Sequence, residues 1–304
     1  MSKSLGNFVS VEDVLKRFGG DIFRLWVSSV DYRQDINLSF NLIEHLSNGY
    51  RRIRNTFRYL LGNLHGFDPA RDRVDYSQMP EIDRWAISRA HSLLKQCTAA
   101  YEAYEFHRVF HLVHNFCAVE MSAFYLDILK DRVYTSPAAS PQRRSALTAM
   151  CEVLNVLIKT LAPILVYTAE DAWKEARSYL GGADSPHLEL FPAVRHDWID
   201  PELEKRWEQL TLVRDEAARE IEKLRAAGAI GSSMEASVTL HTDDADLLRL
   251  LRQYEGSLAE IFIVSEVTLA DRPPQGSSAG LELPALHVKA ERSPWPKCAR
   301  CWNL

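Results

Sequence analysis

The stretch Leu42-Ile-Glu-His-Leu46-Ser-Asn-Gly-Tyr50-Arg-Arg-Ile53-Arg-Asn-Thr-Phe57-Arg-Tyr-Leu60-Leu-Gly-Asn-Leu64 decides the fold. Leu42, Leu46, Tyr50, Ile53, Phe57, Leu60 and Leu64 recur at intervals of three or four, the period of one face of an α-helix. Gly66, Asp68 and Pro69 end that helix, and the polar stretch to Met79-Pro80 reads as a loop. Outward from it the same period returns. Ile82, Ala86, Ala90, Leu93, Cys97, Tyr101 and Tyr104 mark a second helix. A third runs from about Phe106 to Leu129, with Val109, Phe110, Val113, Phe116, Met121 and Phe124. A fourth carries Leu147, Met150, Leu154, Ile158 and Leu161; Pro163 is expected to kink it before the pattern resumes toward Trp173. Four long amphipathic helices with short connections predict an antiparallel bundle.

Upstream, Ser10-Val-Glu-Asp13 fits a capping box, with a short helix to Arg17 or Phe18 that stops at Gly19-Gly20. Asp21 is placed to cap the next helix, Ile22 to Ser29. Downstream, Gly181 to Pro186 is a break. Asp200 with Pro201 then opens a long helix through Leu203, Trp207, Leu210, Ala217, Ile221 and Leu224 that ends near Gly228. After Gly231 the period changes. Ala236 to His241 alternates like a strand, Asp243 or Asp244 can cap a helix through Leu251, and Ile261–Leu269 and Leu286–Ala290 read as further strands. Arg272 to Gly280 is a loop. The fold class is therefore mostly α: an antiparallel helical bundle followed by a long helix and a small α+β module.

Of the 304 residues, 46% are apolar and 25% charged, with Gly and Pro at 13 each, which excludes collagen-like and wholly disordered chains. No apolar run approaches the ~20 residues of a membrane helix. The opening is not a basic region followed by an apolar core, so no secretory signal is expected. The charge is 36 − 41 = −5, against a general DNA coat but not against a partner met by a local basic group. Five cysteines make no disulfide framework and suit a reducing compartment.

Four stretches could carry chemistry. Met1-Ser-Lys-Ser-Leu-Gly-Asn7 is either a frayed polar terminus or a loop in which Lys3, flanked by the hydroxyls of Ser2 and Ser4, neutralises polyphosphate. Between Tyr50 and Tyr59 lie Arg51, Arg52, Arg54 and Arg58 and no acid, with Arg51, Arg54 and Arg58 on one helical side. They are a solvated face or a row of forks for phosphates. Cys298-Ala-Arg-Cys301 offers two thiolates at zinc spacing; incidental cysteines and a redox pair are the alternatives. His107, His111 and His114 share one helix side and read as boundary residues in preference to a metal site. Trp85, Tyr101, Tyr104, Phe124 and Trp173 could stack on bases but fall in apolar stripes and read as core, as do Cys97, Cys117 and Cys151.

Met1-Ser-Lys-Ser4 resembles the end of the KMSKS signature of class I aminoacyl-tRNA synthetases. It is followed in that family's manner by Val11-Glu-Asp-Val14 and Gly20-Asp-Ile-Phe-Arg-Leu-Trp26. Asp31-Tyr-Arg-Gln-Asp35, Tyr50 to Tyr59, Val119 to Asp127, Lys130 to Tyr134, Gly231-Ser-Ser-Met-Glu-Ala236 and Cys298-Ala-Arg-Cys-Trp302 resemble the bacterial-type isoleucyl-tRNA synthetases. The motif order is more specific than any one motif, and the resemblance covers essentially the whole chain. It implies a C-terminal part. Residues 1–41 would form the catalytic loop and linker, 42–195 the anticodon-binding bundle, 196–230 a connecting helix, 231–290 the α+β module and 291–304 a truncated zinc-binding tail. No His-Ile-Gly-His occurs, so the nucleotide-binding fold and editing domain are expected elsewhere and the chain alone is expected to be inactive.

The resemblance further implies isoleucine–tRNA ligation in the cytoplasm by a monomer that takes ATP with magnesium and tRNA(Ile). Lys3 would be catalytic, Ser2 and Ser4 would help hold ATP, and Arg51, Arg52, Arg54 and Arg58 would meet tRNA. Cys298 and Cys301 would be half of a zinc knuckle, expected to be metal-free here. The corresponding part of a valyl or leucyl enzyme, or a non-catalytic helical scaffold for a protein partner, are the rival readings.

Overall fold

The computed structural model describes residues 9–36 and 38–296, so the expectations for Ser2, Lys3, Ser4, Cys298 and Cys301 lie outside the described residues. The chain forms two compact units, Met1–Asp200 and Pro201–Leu304.

The first unit is helical. It opens with α1 (Val11–Phe18) and α2 (Gly20–Ser29). The Ser10 hydroxyl accepts from the Asp13 amide at 3.1 Å and donates to the Asp13 carboxylate, so the two side chains meet as well as the cap. The stretch 42–64 falls in α3 (Phe40–Asn63), capped by Ser39 and ended at Leu64. Its core face is Ile43, Ile53, Phe57 and Leu60, whereas Leu42 at the head of the expected stripe is 47% exposed. A short α4 (Pro69–Asp72) precedes α5 (Glu81–Glu102), which packs against α6 (Phe106–Asn115) and α9 (Pro141–Leu161). α3 lies against α6, α9 and α10 (Val166–Leu180).

The expected third helix departs from α-geometry. Phe116–Tyr125 is a π-helical segment, followed by α7 (Leu126–Ile128) and α8 (Lys130–Thr135). Phe116, Cys117, Met121, Phe124 and Tyr125 are all buried in it. The five-residue step from Phe116 to Met121 suits a turn wider than 3.6 residues. Backbone groups of this wide segment take side-chain partners: Thr56 of α3 donates to the Cys117 carbonyl at 3.4 Å. Beneath it Asp83 is fully buried and accepts from Tyr125 Oη at 2.9 Å, Ser145 Oγ at 2.6 Å and Arg132.

Asp21 does not cap its own helix. It is buried, and it accepts from the amides of Tyr167 and Thr168 and from the Thr168 hydroxyl, at 3.1, 2.7 and 2.6 Å. Pro163 breaks the run between α9 and α10, as its missing amide requires, and leaves the first amides of α10 without intrahelical partners. Asp21 supplies them. One turn on, Arg24 donates to the carbonyls of Ile164 and Pro163 at 3.0 and 2.7 Å. α2 is thus fastened to both sides of the break. The close approach needs Gly20, where a Cβ would stand 2.9 Å from the Tyr167 ring.

The second unit sets α11 (Pro201–Ala226) on a four-stranded sheet of order β2-β1-β4-β3. β1 (Ala236–Thr242) pairs in parallel with β2 (Glu266–Leu269) and antiparallel with β4 (Leu286–Arg292), which also pairs with β3 (Ser278–Ala279). Parallel strands need a crossover, and α12 (Ala245–Gln253) and α13 (Leu258–Phe262) supply it. Asp244 caps α12. The stretch expected as one strand, Ile261 to Leu269, is divided. Its head completes α13, Ile263 turns at φ +58°, and only Glu266–Leu269 is strand. A short continuous apolar run fits either state. Leu203, Trp207, Leu210, Val238, Leu240, Ile261 and Val288 are buried in this unit.

Candidate nucleic-acid interface

The arginines of α3 emerge opposite its core face because Ile53, Phe57 and Leu60 hold the other side against the bundle. Arg51, Arg52, Arg54 and Arg58 are all exposed. Among the described residues, none of the four pairs with a carboxylate; Arg51 donates only to Asn48 Oδ1, at 3.3 Å. Elsewhere in the same unit arginines are engaged. Arg33 holds Asp31, Arg71 holds Asp72, Arg89 clasps Glu120 with two bonds, and Arg195 holds Asp197. Those contacts pull Asp31 and Asp72 down to about 2. The basic turn of α3 therefore presents uncompensated positive charge.

The four do not face one place. Arg54 and Arg58 line a cleft of about 530 Å³ with Gly19 and Gly20, where α1 hands over to α2, and with Tyr167 and Thr168 of α10. Tyr50 crosses it to Thr168 at 2.9 Å, between hydroxyls. Asp21 and Asp171 also line it, but three donors already occupy the carboxylate of Asp21. Arg52 points to a second cleft, of about 590 Å³, walled by Trp26 of α2, His45 and Asn48 of α3, and His111 and His114 of α6. No carboxylate lines this second cleft. Burial, Arg52 and His111 together hold the His114 imidazole below its ordinary pKa, in that order.

The histidine row of α6 is thus split. His111 and His114 join the second cleft, while His107 stands near Asp31 and Glu105. The described residues contain no group of His, Cys, Asp and Glu arranged to hold a metal. Among the aromatics, Trp85, Phe124 and Trp173 are core, and Tyr101 donates its hydroxyl to the Thr160 carbonyl at 2.9 Å. Tyr104 is the exception: the left-handed turn that ends α5, at φ +56°, swings its ring out to 66% exposure, edge-on to Phe106. Burial pushes the thiols of Cys97, Cys117 and Cys151 up to about 12, so they are small protonated packing groups at neutral pH. Trp26, His45, Tyr50 and Tyr167 were not among the sequence candidates. Trp26 closes the Gly20–Trp26 motif, and Tyr50 opens the arginine run, so both stood beside residues that were singled out.

Comparison with known proteins adds the following. Residues 83–240 match the anticodon-binding domain of tRNA ligases, and residues 1–48 the catalytic domain of class I (C) tRNA synthetases. Over 100% of its length the chain is 46% identical to the isoleucine–tRNA ligase of Moorella thermoacetica, 46% to that of Syntrophotalea carbinolica and 44% to that of Geobacter sulfurreducens. The aligned spans are 33%, 32% and 32% of those proteins, so the chain spans about a third of the length of these relatives. Among solved structures, the LeuRS–tRNA–LeuAMS ternary complex of Agrobacterium radiobacter K84 superposes with a TM-score of 0.50 at 19% identity, covering 66% of this chain and 23% of that one. At that identity the likeness concerns the fold alone. No helix among the described residues is long and apolar enough to cross a membrane.

Proposed function

Because the chain belongs to the family of tRNA ligase anticodon-binding domains, we propose that it is the tRNA-gripping part of an isoleucine–tRNA ligase and that α3 is central to the grip. The observation that carries this reading is the run Arg51, Arg52, Arg54 and Arg58, exposed and with no ion pair to a carboxylate among the described residues. A phosphodiester backbone is the partner such a run suits, since each guanidinium fork matches a pair of phosphate oxygens. The isoleucine enzyme is favoured over the valine and leucine enzymes by 46% identity along the whole chain.

In that setting the reaction has two steps. Isoleucine and ATP, with magnesium, give isoleucyl-adenylate and pyrophosphate, and the aminoacyl group then passes to the terminal ribose of tRNA(Ile). Lys3 would stabilise charge growing on the pyrophosphate side, a contribution of about 2.7–4 kcal/mol for a well-placed donor. Ser2 and Ser4 would steady the same phosphates. The match of residues 1–48 to a class I catalytic domain supports these roles. In the full-length enzyme Cys298 and Cys301 would supply two of the four thiolates of a structural zinc. The protein would act in the cytoplasm as a monomer.

Fluorescence anisotropy with labelled tRNA(Ile) tests the proposal. The R51E/R54E variant should bind more than tenfold more weakly than the unsubstituted chain while keeping its circular dichroism. Equal affinity in the variant, or equal binding of an unrelated protein partner at this surface, would overturn it.

A further inference from the structure

We propose that the second cleft, between α2, the first half of α3, and α6, is a nucleotide seat. In it Arg52 with His45, His111 and His114 takes a phosphodiester and Trp26 takes the base. The inference rests on the tRNA-binding reading and deepens it by assigning a place for one extruded RNA nucleotide.

The seat holds Arg52 and three imidazoles and no carboxylate. Four acids of the surrounding elements are engaged by arginines outside it, and Asp35, between α2 and α3, is exposed and does not line the cleft. Glu44 of α3 faces Arg17 at 3.5 Å, Asp31 after α2 is held by Arg33, Glu105 before α6 by Arg108, and Glu120 beyond α6 by Arg89. Asp21 of α2 is bonded to α10. His107, also on α6, stands toward Asp31 and Glu105; Arg24 of α2 is bonded to the Ile164 and Pro163 carbonyls, and Arg51 of α3 to Asn48. Among the described residues, His45, His111 and His114 have no hydrogen-bond or ion-pair partner; the rings of His111 and His114 lie 5.3 and 5.7 Å from that of Phe110 between centroids. A cation is the wrong guest, because Arg52 would oppose it and the imidazoles are not arranged as metal ligands.

Shape points to a nucleotide in preference to a bare anion. At about 590 Å³ the cleft is within the range of small-ligand sites. Gly49 lines it without a side chain, and a Cβ there would already lie 3.3 Å from His114 and Phe110. Trp26 is backed by Phe23 in a stacked pair at 5.8 Å and 27°, which fixes its ring. The exposed Leu42 adds an apolar rim. An aromatic platform beside basic groups is the arrangement by which proteins hold unpaired bases.

Binding must couple to protons. Burial first, then Arg52 and His111, hold the His114 pKa down; a phosphate beside the imidazole offsets the repulsive part, so the bound state takes up protons that the free state does not. Each imidazole whose pKa rises by about one unit adds about tenfold in affinity on crossing to the acid side.

Two measurements test this on the 304-residue chain. In the first, uridine 5′-monophosphate is titrated against the chain with ¹⁵N-labelled histidines, and inorganic phosphate is run in parallel. The nucleotide should shift the His45, His111 and His114 imidazoles and raise the pKa of His114, and it should do so at lower concentration than phosphate. Imidazoles that do not move, or that respond equally to phosphate, would overturn the seat. In the second, affinity for tRNA(Ile) is compared at about pH 8 and about pH 6, on either side of the ordinary histidine value. A gain of about tenfold is expected, flattened in the H45N/H111N/H114N variant. Should that variant fail to fold, the single H45N and H111N variants, both at exposed positions, should each lose part of the gain. Full retention of the gain in the folded variants would overturn the proposal. Imidazoles that respond to uridine monophosphate in a chain that binds no tRNA would instead sink the tRNA reading and leave the seat standing.

Discussion

At the scale of single residues, the sequence offers Asp21 as the cap of its own helix and the structure gives it to another. A carboxylate buried with two amides and a hydroxyl as donors joins residues about 147 positions apart in the chain, through charge-assisted bonds. Removing it leaves the first amides of α10 buried without partners. Asp21→Ala should therefore destabilise the first unit by about 3 kcal/mol, read from the urea midpoint, and Asp21→Asn should recover part of that. His114 makes a second prediction. Its folded pKa lies below the ordinary value, so as pH falls through about 6.5 the unfolded chain takes a proton that the folded one resists. Stability from this group is intact above that pH and is lost between the ordinary value and the lower folded one, where both states become protonated. The difference in urea midpoint between the unsubstituted chain and His114→Asn should open over that acid window and vanish near pH 8.

Elements were legible to the extent that their period was long and unbroken. α3, α5, α9, α10 and α11 stood in the spacing of leucine, isoleucine and aromatic residues, and the break at Pro163 stood in the missing amide. At the head of α3 the core residue is Ile43 and not Leu42; the two are adjacent, so a shift of 100° on the helix exchanges which of them is core. The π segment left one trace, the five-residue step from Phe116 to Met121. The division of Ile261–Leu269 left none, since apolar runs of that length suit helix and strand alike. In the candidate site the arginines were legible as a run without acids. Their separation into two clefts was not, because it depends on which helices flank α3. Gly49 shows how close that flanking is. Gly49→Val should force α3 from α6 and cost about 1–3 kcal/mol by overpacking, measurable by thermal or urea unfolding.

For the whole molecule, the formal charge of −5 and pI near 6.1 set it against a polyanion at neutral pH. Long-range attraction is therefore not the means by which tRNA would be held. Screening confines each charge to about 8 Å at physiological ionic strength, so what counts is the local field of α3. Four unpaired arginines there can displace about four counterions from RNA, and each phosphate contact steepens the salt dependence by roughly 0.7–0.9 in log K per log salt. The chain should thus bind tRNA(Ile) with a slope of about −3 in that plot, in spite of its net charge. Arg54→Gln with Arg58→Gln, which removes one cleft's share, should reduce the slope to about half and leave the share of Arg51 and Arg52. A slope near zero would mean that the contact is not with phosphates, and α3 would then be a solvated face and nothing more.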